Sequence, residues 1–165
     1  MPVVDERSRA RVLALQALCL FDAVGEQFRS ELDAFLNDRA NYVDLGWHRR
    51  PRTKVLTLAR RLAASAWEQH GRCDQLLNEQ VADWTVDRMQ PVDRNILRLG
   101  LYELLDCPAT PHQVVINEAI ELARFFGGAE SPAFVNGVLD GIRRKLAALP
   151  AFTGPCASDP PEEEP

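Results

Sequence analysis

Two carboxylates one helical turn apart can grip a metal ion or divide general acid and general base work between them. Glu118 and Glu121 stand at that spacing in VVINEAIELARFFGG. No Glu-x-x-His segment accompanies them, so a ferritin-like metal centre is not expected. A solvated helix face with pairing to Arg124 accounts for them instead. His112, just behind Pro111, reads as an exposed polar residue rather than a base. Gly127 and Gly128 read as a helix terminus, and no glycine-rich phosphate loop occurs. Cys19, Cys73, Cys107 and Cys156 form no C-x-x-C pair and lie at no ligand spacing from the three histidines. That pattern argues against a zinc site and against a disulfide framework, and Cys19 is expected to pack as a small apolar group. No catalytic constellation assembles, so neither enzymatic activity nor a cofactor is expected.

The residues suited to binding are clearer. ERSRAR places Arg7, Arg9 and Arg11 in the approach to the first helix and its first turn. Cations there do not complement the helix dipole. RNA phosphates are one reason for their presence, and a solubilising basic start is the other. Arg143, Arg144 and Lys145 form a second basic group near the end of the last helix, and RRPR at 49–52 lies at the start of another. Phe134 follows Ser131-Pro132 in a first turn, as a core residue or, if exposed, as a platform for an unpaired base. Asp93, behind Pro91, suits a helix N-terminus or a contact with a partner protein. Asn117 and Asn136 fall inside helix patterns that asparagine does not favour, so each either hydrogen-bonds between helices or faces a ligand.

The elements that must position these residues follow from apolar spacing. Stripes at helical period predict helices over residues 8–24, 29–41, 53–70 and 74–86, with Gly25 and Gly71 as breaks. Residues 43–52 read as a loop. Three more helices are each opened by a proline, Pro91, Pro111 or Pro132, suited to the first helical position. Thr110 with Gln113 reads as a capping box, Ser131 as a cap, and Gly127-Gly128 as a left-handed terminus. Ile96, Leu99 and Leu104, then Val115, Ile116 and Ala119, then Val135, Val138 and Leu139 are the inward stripes. No alternating strand pattern appears, which gives an all-α bundle of about seven helices in two helical halves sharing one core.

At 165 residues and 46% hydrophobic, the chain can bury one substantial core. Residues 1–149 are expected to form that domain, and residues 150–165 a disordered Pro/Glu-rich acidic tail. The net charge of −5 argues weakly against nucleic acid, but Asp159, Glu162, Glu163 and Glu164 in the tail supply most of the excess, leaving the body close to neutral. Neither a signal peptide nor a membrane span is legible, so a cytoplasmic location is expected.

In its longest ordered motifs, VDRNILRLGLYEL, VVINEAIELARFFG and SPAFVNGVLD, with RSRAR-x-LALQAL more loosely, the chain resembles the NusB family of bacterial transcription antitermination factors. The resemblance spans about residues 8–146. It implies a small all-helical adaptor without catalytic activity. Such an adaptor binds boxA-type single-stranded RNA in ribosomal RNA leaders and spacers together with the small-subunit ribosomal protein S10 (NusE). Other Nus factors and RNA polymerase join through that complex. Carried over, the resemblance makes Arg7, Arg9 and Arg11 RNA contacts, Phe134 a stacking residue, Glu130 an acidic neighbour of the RNA, and Asp93 the residue facing the ribosomal protein. Cys19 stands where the family often has an aromatic residue, Glu6 and Ser8 dilute the basic run, and residues 43–54 match poorly. Two other readings stay open: a helical protein–protein scaffold without RNA binding, and the RNA-binding domain of a ribosomal RNA methyltransferase, which would require a separate catalytic domain.

Overall fold

Asp5 opens the first helix by accepting a hydrogen bond from the Ser8 amide at 2.7 Å, and Gly25, in the left-handed region at φ 80°, closes it. The computed structural model describes residues 5–149, and the expected tail at 150–165 lies outside them. Among the described residues there are eight α-helices and no strand: α1 Glu6–Val24, α2 Leu32–Asn37, α3 Arg39–Asp44, α4 Thr53–Glu68, α5 His70–Gln80, α6 Pro91–Asp106, α7 His112–Phe126 and α8 Ser131–Ala147. Short 3-10 segments lie at Glu26–Ser30 and Val86–Arg88. No helix among them is long and apolar enough to cross a membrane.

The expected inward stripes are the core. Leu13, Leu18, Phe21, Ala59, Ala63, Ile96, Leu97, Ala123, Val135 and Leu139 are all fully buried in one continuous apolar cluster. α1 packs against both α4 and α6, while α6, α7 and α8 pack on one another, so α1 joins the two halves of the bundle. Phe21 anchors that junction, stacked on Trp67 at 5.3 Å and edge-on to Phe28 at 5.0 Å. Removing such aromatic area from water supplies the dominant favourable term.

Several boundaries differ from the sequence expectation. The helix expected over 29–41 is three pieces, because Asp38 leaves the helical region and accepts from the Ala40 amide, starting α3 afresh. The break expected at Gly71 falls at Gln69 instead. The helix expected to reach Val86 stops at Gln80, and Asn78 turns back to accept from the Val86 amide at 2.9 Å. Pro91 is the first residue of α6, but Pro111 caps α7 and Pro132 is the second residue of α8. The Thr110–Gln113 capping box does not form, and Gln113 donates to Asn117. Ser131 lies within α8, where its hydroxyl accepts from the Gly128 amide.

Gly127 is extended rather than left-handed. Its requirement is space: a Cβ there would stand 2.6 Å from the Ser131 Cβ and 2.7 Å from the Ala123 carbonyl oxygen. Gly100 likewise lets α8 approach α6, since an added Cβ would meet Leu139 Cδ1 at 2.9 Å.

Candidate nucleic-acid interface

Two polar networks inside the bundle fix the helices that carry the candidate residues. In the first, Arg98 on α6 grips Asp74 on α5 through two hydrogen bonds of 2.7 Å and donates to Asp22 on α1 at 2.9 Å. Arg94 and Asn95 also donate to Asp22, and Asn95 ties back to the Pro91 carbonyl. Burial opposes ionisation of Asp22, but hydrogen bonds from Arg98, Arg94 and Asn95 outweigh it and hold the carboxyl below its ordinary value. Asn95 is fully buried and thus has an internal task. The sequence reading missed this network. The residues that form it lie far apart along the chain, and only the i, i+4 pair Arg94–Arg98 hinted at a shared face.

In the second network, Arg11 is 4% exposed and makes a two-pronged contact with Glu103, at 2.8 and 3.0 Å. Glu118 stands 3.7 Å from the same guanidinium and accepts from the Ser8 hydroxyl at 2.9 Å. Arg11 therefore faces the interior, and its expected place among RNA contacts is corrected. Arg11 shares a helix face with Arg7, but one turn further along α1 that face meets Glu103 of α6 and Glu118 of α7. Burial disfavours its charge, yet Glu103 and then Glu118 keep it firmly protonated.

Arg7 is exposed, and Arg9 is half-buried with its guanidinium 5.2 Å from the Trp47 ring centre. In the carboxyl-terminal basic group, Asp140 binds both Arg143 at 2.9 Å and Arg144 at 2.8 Å, so one carboxylate offsets part of the charge of the three cations. Glu121 pairs with Arg124 as expected, whereas Glu118 turns to Ser8 and Arg11. Asn117 and Asn136 are exposed and bridge no helices.

The remaining candidates meet. Asp93 in the first turn of α6, Glu130 at the start of α8 and Phe134 one turn on all line a single open cleft of about 470 Å³, together with Trp84, Met89 and Ser131. Asp93 is 9% exposed and its Oδ1 has no hydrogen-bond partner, although buried carboxylate oxygens normally have one. Phe134 is half-buried, packed against the core and lining the cleft. Trp84, within the helix expected over 74–86, is instead 48% exposed in the loop after α5 and adds a second aromatic surface. A shallower apolar groove of about 370 Å³ lies alongside, lined by Leu15, Gln16, Cys19, Leu20, Phe35, Val92 and Phe126. Val92 adjoins Asp93, and the Gln16 Oε1 in this groove is also unpartnered. Cys19, half-buried, has its thiol pushed up to about 11 by burial, then by Asp22, so it is inert as a nucleophile. Cys73 and Cys107 are free thiols. No group of His, Cys, Asp and Glu among the described residues is arranged to hold a metal ion.

An all-helical bundle with two structural ion networks and an aromatic, carboxylate-edged cleft defines a binding module. Residues 8–144 match the NusB family model, and the chain belongs to that family. The family is one of non-enzymatic RNA-binding adaptors, and the chain is accordingly not an enzyme. It is 36% identical over 143 residues to the transcription antitermination protein NusB of Desulfatibacillum aliphaticivorans, covering 87% of this chain and 93% of that one. It is 38% identical over 147 residues to that of Geotalea daltonii, covering 87% and 97%. Among solved structures, NusB of T. maritima superimposes with a TM-score of 0.66 at 33% identity, covering 88% of this chain and 94% of that one. A chain from a complex of antitermination factors NusB and NusE with dsRNA shares the fold, with a TM-score of 0.69 at 23% identity over 87% and 99%.

Proposed function

We propose that this chain is a transcription antitermination adaptor that binds boxA-type single-stranded RNA of ribosomal RNA leaders and spacers together with ribosomal protein S10 (NusE). Other Nus factors and RNA polymerase would be reached through that complex, which places the protein in the cytoplasm. The observation that carries this reading is the cleft that gathers Asp93, Glu130 and Phe134 from two helices. Phe134 and Trp84 offer faces for unpaired bases, and Arg7 and Arg9 offer salt-sensitive attraction for phosphates. Asp93, with an unsatisfied carboxylate oxygen beside the apolar groove, suits a cationic or N–H donor on the ribosomal protein. A solved complex of NusB and NusE with dsRNA, whose chain shares this fold, supports the general type of partner.

The test is a titration of boxA-like, scrambled and double-stranded RNA, with and without the ribosomal protein, at two salt concentrations. Selective binding that strengthens with the partner and weakens with salt is expected. Equal binding to scrambled RNA with no partner effect would refute the adaptor. Asp93→Lys should impair the partner contact first and should not weaken RNA binding by the protein alone. The scaffold alternative is favoured only by the inward turn of Arg11, which removes one of three expected RNA cations.

A further inference from the structure

The loop between α3 and α4 carries a feature that the cleft at Asp93 does not use. Gly46 turns the chain in the left-handed region at φ 75°, and the Trp47 amide closes on the Tyr42 carbonyl at 2.8 Å. Trp47 is thereby tucked in, 5% exposed, and its indole N–H has no hydrogen-bond partner. It lines a partly enclosed cavity of about 240 Å³ whose rim includes Arg39, Arg49, Arg50 and Asn37. Arg39 and Arg49 are exposed, and Arg50 is oriented by the Asn37 side-chain oxygen at 2.5 Å. Arg52 and Lys54 follow, both near Glu6, and Asp38 and Asp44 are the acidic groups on α3 and its cap. Asp38 is committed to the Ala40 amide. The cavity is thus rich in donors. Guanidinium forks and an indole N–H complement phosphate oxygens, which only accept.

We infer that this cavity is a second anchor for RNA phosphates, continuous with Arg7 and Arg9, so that the bound strand extends past the first helix onto the α3–α4 loop. The continuity is physical: the Arg9 guanidinium lies over the same Trp47 ring that walls the cavity, 5.2 Å from its centre. The inference rests on the RNA-binding reading above, and it adds residues 39–50 to the surface.

The experiment compares the full chain with Arg49→Ala/Arg50→Ala, Arg49→Lys/Arg50→Lys and Arg7→Ala/Arg9→Ala, in the presence of the ribosomal protein. The RNAs are a boxA-like element and the same element extended by flanking nucleotides on both sides. The alanine pair at 49 and 50 should weaken binding of the extended RNA about tenfold and lower its salt slope by about 1.4, with little effect on the short element. The lysine pair should keep the slope. Far-UV circular dichroism and the urea midpoint should be unchanged in all variants. Unchanged slope and affinity in the alanine pair, while Arg7→Ala/Arg9→Ala still loses binding, would overturn this anchor and leave the RNA reading standing. Failure of the unmodified chain to bind either RNA would overturn both. An equal loss of slope in the lysine pair would mark a disturbed loop and would also overturn the anchor.

Discussion

Arg9 and Arg11 lie on the same helix two residues apart, yet one is half-exposed over the Trp47 ring and the other is sealed between carboxylates. The contrast extends to two regions of the molecule. Inside, Arg98 and Arg11 bind Asp74, Asp22 and Glu103 with almost every donor matched. Outside, the arginines of the α1 start and the α3–α4 loop rest on weak or partial pairings. Desolvation makes the inner pairs costly to break singly, while water and salt make the outer ones individually worth little to the fold. Arginine content alone therefore says nothing about RNA affinity here; what matters is which carboxylates lie within reach.

The sharpest way to break the comparison is Arg98→Ala, which strands Asp74 and leaves Asp22 to Arg94 and Asn95 alone. A loss of about 3–5 kcal/mol in urea-derived stability is expected. A loss below the range for exposed pairs would show that the inner network is not structurally distinct. Glu103→Ala should come next, at about 2–4 kcal/mol, because Glu118 remains near Arg11 to compensate in part. Gly127→Ala should cost about 1–3 kcal/mol through its clash with Ser131 and the Ala123 carbonyl, seen as a lowered thermal midpoint with unchanged helicity.

Acid should discriminate between the regions as well. The Asp22 pKa is depressed in the folded state, so its contribution is complete above the unfolded value of 3.8 and is lost as pH falls below it. Asp22→Asn should flatten the pH dependence of the urea midpoint between about pH 5 and pH 2. An undiminished slope would place the acid sensitivity elsewhere. The smallest effect is expected for Arg9→Ala, within about 0.5 kcal/mol of the parent stability, so that any larger change in RNA affinity reports contact rather than folding.

Much of the architecture was legible because apolar spacing reports which face of a helix is buried. The stripes in α4, α6, α7 and α8 follow that logic residue by residue. Helix ends were less legible, since Asp38, Asn78 and Ser131 choose partners by local geometry that spacing does not specify. At the candidate interface, the resemblance singled out Glu130 and Phe134 for RNA and Asp93 for the ribosomal protein; that all three line one cleft is not derivable from periodicity. The fate of Arg11 was hidden because Glu103 is 92 residues away. The places of Trp84 and Trp47 were missed: one lay within a helical pattern and is exposed, and the other lay in a loop with no apolar rhythm and is buried.

Gly100 ties these regions together. It lies two turns beyond Asp93 on the same face of α6, where the missing methyl leaves room for the buried Leu139 of α8. Leu139 in turn lies five residues beyond Phe134 on its own helix. A glycine inside the core therefore lets α6 and α8, which carry Asp93 and Phe134, approach closely. A single added carbon at position 100 would press on the Leu139 side chain without touching either cleft residue.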